Sequence, residues 1–146
     1  MADLSPVSRP TTTGERSLEG VRALVVDDDL AVCFSLRDLL VAEGCQVLTA
    51  GTGLEALRVL EHAEVDVIIS DVVMPDLDGY DLYMEVKERS DTPVLLMTGY
   101  YYDRDHVIKR SRLEGLENVL FKKPVDPERL TKLIREVCHR EPPPSA

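Results

Sequence analysis

No apolar run in this 146-residue chain approaches the roughly 20 residues that a membrane-spanning helix needs. The start also lacks a charged-then-apolar secretory pattern, since Asp3 and the Pro/Thr/Ser-rich stretch from Ser5 to Thr13 stand in its place. These absences lead to the expectation of a cytoplasmic protein that does not engage a membrane. Cysteine is scarce: Cys33, Cys45 and Cys138 are widely spaced, with no Cys-x-x-Cys pair and no Cys/His cluster. That argues against a zinc site and fits three reduced thiols. Positive charge is in deficit, with 17 Lys and Arg against 27 Asp and Glu and a net charge of −10. A chain so acidic lacks the basic surface on which direct nucleic-acid binding relies. It suits a site where carboxylates gather around a cation.

Hydrophobic residues make up 44% of the chain, enough for one domain with a modest core. Residues 1–19 are polar and turn-rich and read as a tail. Glu141-Pro-Pro-Pro-Ser-Ala146 cannot continue a helix and reads as a second tail. Between them, short apolar runs alternate with amphipathic stretches. Strands are expected over 21–26, 45–48, 65–70, 94–97 and 118–121. Helices are expected over 30–43, 52–60, 80–90, 103–112 and 127–140, with Gly44 stopping the first and Pro127 opening the last. This βα order, five times over, implies an α/β fold. The expected architecture is a five-stranded parallel sheet, (βα)5 and doubly wound as in flavodoxin-like folds, with helices on both faces. Function in such folds collects at the C-terminal edge of the sheet.

The run Val65-Asp-Val-Ile-Ile-Ser-Asp-Val-Val-Met-Pro-Asp-Leu-Asp-Gly79 places Asp71 at the tip of a buried strand, where Pro75 and Gly79 then force a loop. The other strand ends supply Asp27 and Asp28, Thr98, and Lys123 followed by Pro124. Carboxylates this close repel unless a cation shares them. All-oxygen ligands call for a hard ion, and Mg²⁺ is the usual one beside a phosphate. A metal, a lysine and a hydroxyl together match the equatorial oxygens of a phosphoryl group in transfer, which leaves Asp71 as the nucleophile.

With these residues in place, the chain resembles the receiver domain of bacterial two-component response regulators over residues 20–140. It is similar to the stand-alone, chemotaxis-type members, and no output domain is expected to follow. The matching pieces are Val25-Val-Asp-Asp-Asp29, Ser70-Asp-Val-Val-Met-Pro-Asp-Leu-Asp-Gly79, Leu96-Met-Thr-Gly99 and Lys123-Pro124. The resemblance implies a signalling phosphoacceptor, not an enzyme. Asp71 would take a phosphoryl group from a sensor histidine kinase or a histidine phosphotransfer protein. Asp28 would bind Mg²⁺ directly, Asp27 would assist through water, and the Val73 carbonyl would complete the protein's share of the ligands. Thr98 and Lys123 would hold phosphoryl oxygens, and the Lys123–Pro124 peptide bond would be cis. Phosphorylation would switch the surface made by residues 103–123 toward a downstream protein target, with homodimerisation on activation left open.

Other acidic and basic residues have plainer readings. Asp29 and Asp78 read as helix-start or loop carboxylates, and strand alternation turns Lys122 away from Lys123. His62, His106 and His139 are scattered away from the acidic rim. Two departures from the family pattern stand out. Leu120 occupies the position, three before Lys123, where many receivers carry Tyr or Phe, while Phe121 points to the opposite face. Tyr100, Tyr101 and Tyr102 directly follow Thr98-Gly99 and read either as half-buried aromatics propping the loop or as a substitute switch or docking patch. Val73 and Tyr100 supply no acid or amide to position an attacking water, so slow self-dephosphorylation is expected. Three competing readings are a pseudo-receiver that only binds, a small aspartyl-nucleophile phosphatase built on Asp27-Asp28-Asp29, and a flavodoxin relative. The last would need a Ser/Thr/Gly-rich phosphate loop where three aspartates stand.

Overall fold

The computed structural model describes residues 18–99 and 120–138. The strands are β1 (Arg22–Val26), β2 (Gln46–Ala50), β3 (Val67–Asp71), β4 (Val94–Thr98) and β5 (Leu120–Lys122). The described helices are α1 (Leu30–Ala42), α2 (Gly53–His62), α3 (Gly79–Arg89) and α4 (Pro127–Val137). The expected helix over 103–112 lies outside the described residues. So do Tyr100, Tyr101, Tyr102, His106, His139, most of the leading tail and all of the trailing one. Among the described residues no helix is long and apolar enough to cross a membrane.

The five strands form one parallel sheet in the order β2-β1-β3-β4-β5, the α/β architecture expected. Alternation along the strands divides the core into two layers. Ala23, Val25, Val67, Ile69, Leu95, Met97 and Phe121 face α1 and α4, meeting Cys33, Leu36, Leu40, Leu130 and Ile134. Leu24, Val26, Ile68, Val94 and Leu96 face α2 and α3, meeting Ala56, Tyr80, Leu82 and Val86. β3 and β4 are buried along their whole length, which is why their sequences read as continuous apolar runs. From β1 the chain goes first to one neighbour, β2, and later to the other, β3. The C-terminal ends of β1 and β3 therefore flank the crevice where this class of sheet binds ligands.

Local chemistry sets the element ends. α1 closes in a Schellman motif: Gly44, at φ 101°, follows the cap, and Gly44 N and Cys45 N donate to Val41 O and Leu40 O. Cys45 is thereby committed to the helix end. β2 starts at Gln46 instead of Cys45, and runs on to Ala50 because Thr49 and Ala50 pair with Val25 and Val26. β3 starts at Val67, two residues later than expected, because its register opposite Ala23 begins there, while Asp66 turns its carboxylate onto Arg22 N. α4 has Asp126 as N-cap and Pro127 in its first turn, and Cys138 caps it before the expected end at Arg140. Leu18, assigned to the leading tail from sequence, is fully buried against the α1 side of the sheet. Its N–H donates to Glu43 O at 2.9 Å, so ordered packing includes the last residues of that stretch.

Candidate functional site

Asp27 follows β1 directly. Its N–H continues the ladder to Ala50 O at 3.1 Å, and its side chain is completely buried. One carboxylate oxygen accepts from Asp29 N at 2.9 Å, and the other accepts from Lys123 Nζ at 2.9 Å. Asp71 is the last residue of β3 and only 6% exposed, with Oδ1 lying 3.2 Å from the same Nζ. Asp28 is exposed at the mouth of this cleft. Asp27, Asp28 and Asp71 each present an oxygen within 4.8 Å of the others. Lys123 reaches the cleft from the loop after β5, and its N–H donates to Thr98 O at 2.9 Å. Thr98, the last residue of β4, is fully buried, and the Lys123–Pro124 bond is cis.

The electrostatics of the cluster follow from this crowding. Burial and then the Asp27 charge push the Asp71 carboxyl up to about 6, and Lys123 only partly opposes them. Burial works against the Lys123 charge, yet contacts with Asp27 and Asp71 outweigh it and hold the ammonium above its ordinary range. A small hard cation fits this donor set. Its ligands are all oxygens, they converge on one point, and the carboxylates carry more negative charge than one ammonium offsets.

The structure brings together Asp27, Asp28, Asp71 and Lys123, and sets Thr98 at the adjoining strand end. Val73 lies two residues past Asp71 in the β3–α3 loop, 39% exposed. Asp29 and Asp78 serve as N-caps of α1 and α3: Asp29 accepts from Ala31 N and Val32 N, and Asp78 from Asp81 N. Lys122 is exposed and His62 ends α2, away from the cluster. Leu120 pairs through its backbone with Leu96.

Reading the sequence alone missed the parts that Ser70 and Asp76 play in this cleft, and took Gly79 only as a loop former. Ser70 is buried and its Oγ donates to Asp71 O at 2.8 Å. Gly79 packs so closely under the site that a Cβ there would lie 2.6 Å from Asp71 O. Asp76 fastens the β3–α3 loop to the start of α2 through Gly53 N and Leu54 N. A glycine closing an Asp-rich loop was a readable signal for Gly79. Asp76 carried none, since its partners on α2 are more than twenty residues away in sequence.

A parallel five-stranded sheet with acids at the ends of β1 and β3, and a lysine after β5, defines a class, and comparison with known proteins identifies it. The model of the response regulator receiver domain matches residues 23–135, and the chain belongs to that family. A 14.6 kDa protein of Leptolyngbya boryana is 35% identical over 131 residues, covering 88% of this chain and 98% of that protein. The probable transcriptional regulator ycf27 of Cyanophora paradoxa is 32% identical over 127 residues, covering 85% of this chain. The chain spans only 51% of that regulator. Among solved structures, the signal receiver domain of a signal transduction histidine kinase from Syntrophus aciditrophicus aligns with a TM-score of 0.73 and 31% identity. That alignment covers 82% of this chain and 91% of that one. This is a response regulator receiver domain of two-component systems.

Proposed function

We propose that the chain is a phosphoacceptor, not an enzyme with turnover, and that Asp71 receives a phosphoryl group from a phosphohistidine on a kinase or phosphotransfer protein. The convergence of Asp27, Asp28 and Asp71 within 4.8 Å, with Lys123 between two of them, carries this reading. A carboxylate oxygen of Asp71 attacks phosphorus, the P–O bond forms, and the P–N bond breaks with its electron pair going to the donor imidazole. Asp27, Asp28, Asp71 and the Val73 carbonyl are the groups that would hold Mg²⁺. When bound, that ion supplies positive charge to the carboxylates and to the phosphoryl oxygens. Lys123 adds a second positive charge at Asp71 and stays protonated because two carboxylates surround it. Thr98 offers its hydroxyl to a phosphoryl oxygen. The new charge at Asp71 then shifts the equilibrium of the surface that a downstream protein reads. Location in the cytoplasm accords with a kinase partner of this kind.

Intact-mass spectrometry after incubation with acetyl phosphate tests the reading. A single phosphoryl adduct that requires Mg²⁺ and is lost in Asp71→Asn is the expected result. No adduct on the native protein, from acetyl phosphate or from a phosphorylated donor, would leave a pure interaction module.

A further inference from the structure

We propose that Asp76 is a positioning residue for the magnesium site, holding the loop that carries the Val73 carbonyl against the N-terminus of α2. This deepens the proposed function and rests on Val73 being a ligand there.

The loop between β3 and α3 is fastened at two places. At its base Gly79 N donates to Val72 O at 2.8 Å, a backbone closure that any side chain at the intervening positions leaves intact. At its tip the fastening is the Asp76 carboxylate. Its Oδ1 accepts from Gly53 N at 3.1 Å, and its Oδ2 accepts from Leu54 N at 3.0 Å. Oδ1 also accepts from Leu77 N at 2.6 Å, within the loop itself. Val73 sits between these two fastenings, separated from Asp76 only by Met74, which is buried, and by Pro75.

The N-terminus of α2 is arranged to need this contact. Glu55 N is satisfied by Thr52 Oγ1, and Ala56 N by Thr52 O. Glu55 turns its own carboxylate back onto Gly51 N at 2.6 Å. That leaves the first two helical N–H groups, Gly53 and Leu54, and the loop carboxylate takes both, one with each oxygen. The approach is close: a Cβ at Gly53 would lie 2.7 Å from Leu77 O. Burial pushes the Asp76 carboxyl up, but the backbone N–H groups of Leu54, Leu77, Gly53 and Asp76 itself together outweigh it and hold the carboxyl below the ordinary range. Asp76 is therefore charged, bidentate across two elements, and tied to a helix end whose partial positive charge favours it.

The test compares native protein, Asp76→Ala and Thr52→Ala by calorimetric titration with Mg²⁺ and by urea denaturation in EDTA. Both substitutions remove a cap from the same helix, but only Asp76→Ala frees the loop tip. Both are expected to lower stability. Mg²⁺ affinity is expected to fall roughly three- to tenfold in Asp76→Ala, short of the loss seen when a group bonded directly to a ligand is removed, and to hold in Thr52→Ala. Asp76→Asn, which keeps one carbonyl acceptor, is expected to fall between. Unchanged Mg²⁺ affinity in Asp76→Ala, or an equal loss in Thr52→Ala, would overturn the positioning role while leaving the magnesium site standing. No Mg²⁺ binding by the native protein would overturn both together.

Discussion

Lys123 Nζ lies closer to Asp27 than to Asp71, at 2.9 Å against 3.2 Å, so the ammonium is shared between the two carboxylates and belongs to neither. Removing it leaves two buried acids facing each other. Lys123→Met is therefore expected to destabilise the protein by roughly 2–3 kcal/mol near neutral pH. That is somewhat less than for breaking a fully buried pair, because the lysine side chain keeps 25% of its exposure. Mg²⁺ should restore part of the loss by supplying the missing charge. Urea denaturation with EDTA and with Mg²⁺ checks this, and a variant as stable as the native protein in EDTA would contradict it.

Asp71 should cost the fold stability when ionised. Its carboxyl is raised from 3.8 to about 6, so between those values the folded protein holds a proton that the unfolded chain has lost. Stability then falls as pH rises through that window and stays lowered above it, by roughly 3 kcal/mol at about 1.4 kcal/mol per unit. Asp71→Asn removes the charge and keeps the shape. In EDTA at about pH 8 it should be more stable than the native protein, with the gap closing as pH approaches 4. Added Mg²⁺ should narrow the gap at high pH by binding the native cluster preferentially. Denaturation across pH decides it: an Asn variant that is less stable at high pH would show that Asp71 is comfortably solvated.

The acidic rim was readable because each of its members is a strand-end residue. Asp27 and Thr98 follow directly from apolar runs and Asp71 from one interrupted only by Ser70, and a parallel sheet carries all such ends to one edge. Lys123 was readable for the same reason, one residue past β5. Boundaries were less legible where hydrogen bonding overruled hydrophobicity. Cys45 looks like strand and is buried like strand, yet its N–H belongs to the Schellman closure of α1. Leu18 looked like tail because one leucine in a polar stretch has no periodicity, and only the fold reveals the core wall it meets. Asp76 was opaque because its role is set by a helix N-terminus remote in sequence, and a loop aspartate has no local pattern that announces such a partner.

Gly79 is expected to tolerate no side chain. It opens α3 with ordinary helical backbone, so conformational freedom is not what it supplies. What matters is space: a Cβ would stand 2.6 Å from Asp71 O and 2.8 Å from Val72 Cα, both backbone atoms that cannot swing aside. Gly79→Ala should cost roughly 1–3 kcal/mol, as overpacking does. It should also displace the Asp71 backbone, slowing phosphorylation by acetyl phosphate even where the protein remains folded. Urea denaturation paired with adduct formation measures both, and an Ala variant matching the native protein in each would show that the contact relaxes freely.

Val73 should make the aspartyl phosphate long-lived. It is exposed in the β3–α3 loop, two residues past Asp71, and its isopropyl group can neither orient nor deprotonate a water approaching phosphorus in line. Hydrolysis of an acyl phosphate needs such a water placed opposite the leaving carboxylate. An amide in this position can hydrogen-bond that water, and an isopropyl group only crowds it. Val73→Asn keeps the backbone carbonyl available to the metal and changes only the side chain. It is expected to speed loss of the phosphoryl group several-fold, with little change in how fast the adduct forms. Following the decay of the adduct by intact mass after removing acetyl phosphate reads this directly. Decay of the native adduct within seconds, or an Asn variant no faster than native, would mean that water reaches the phosphorus by a route Val73 does not guard.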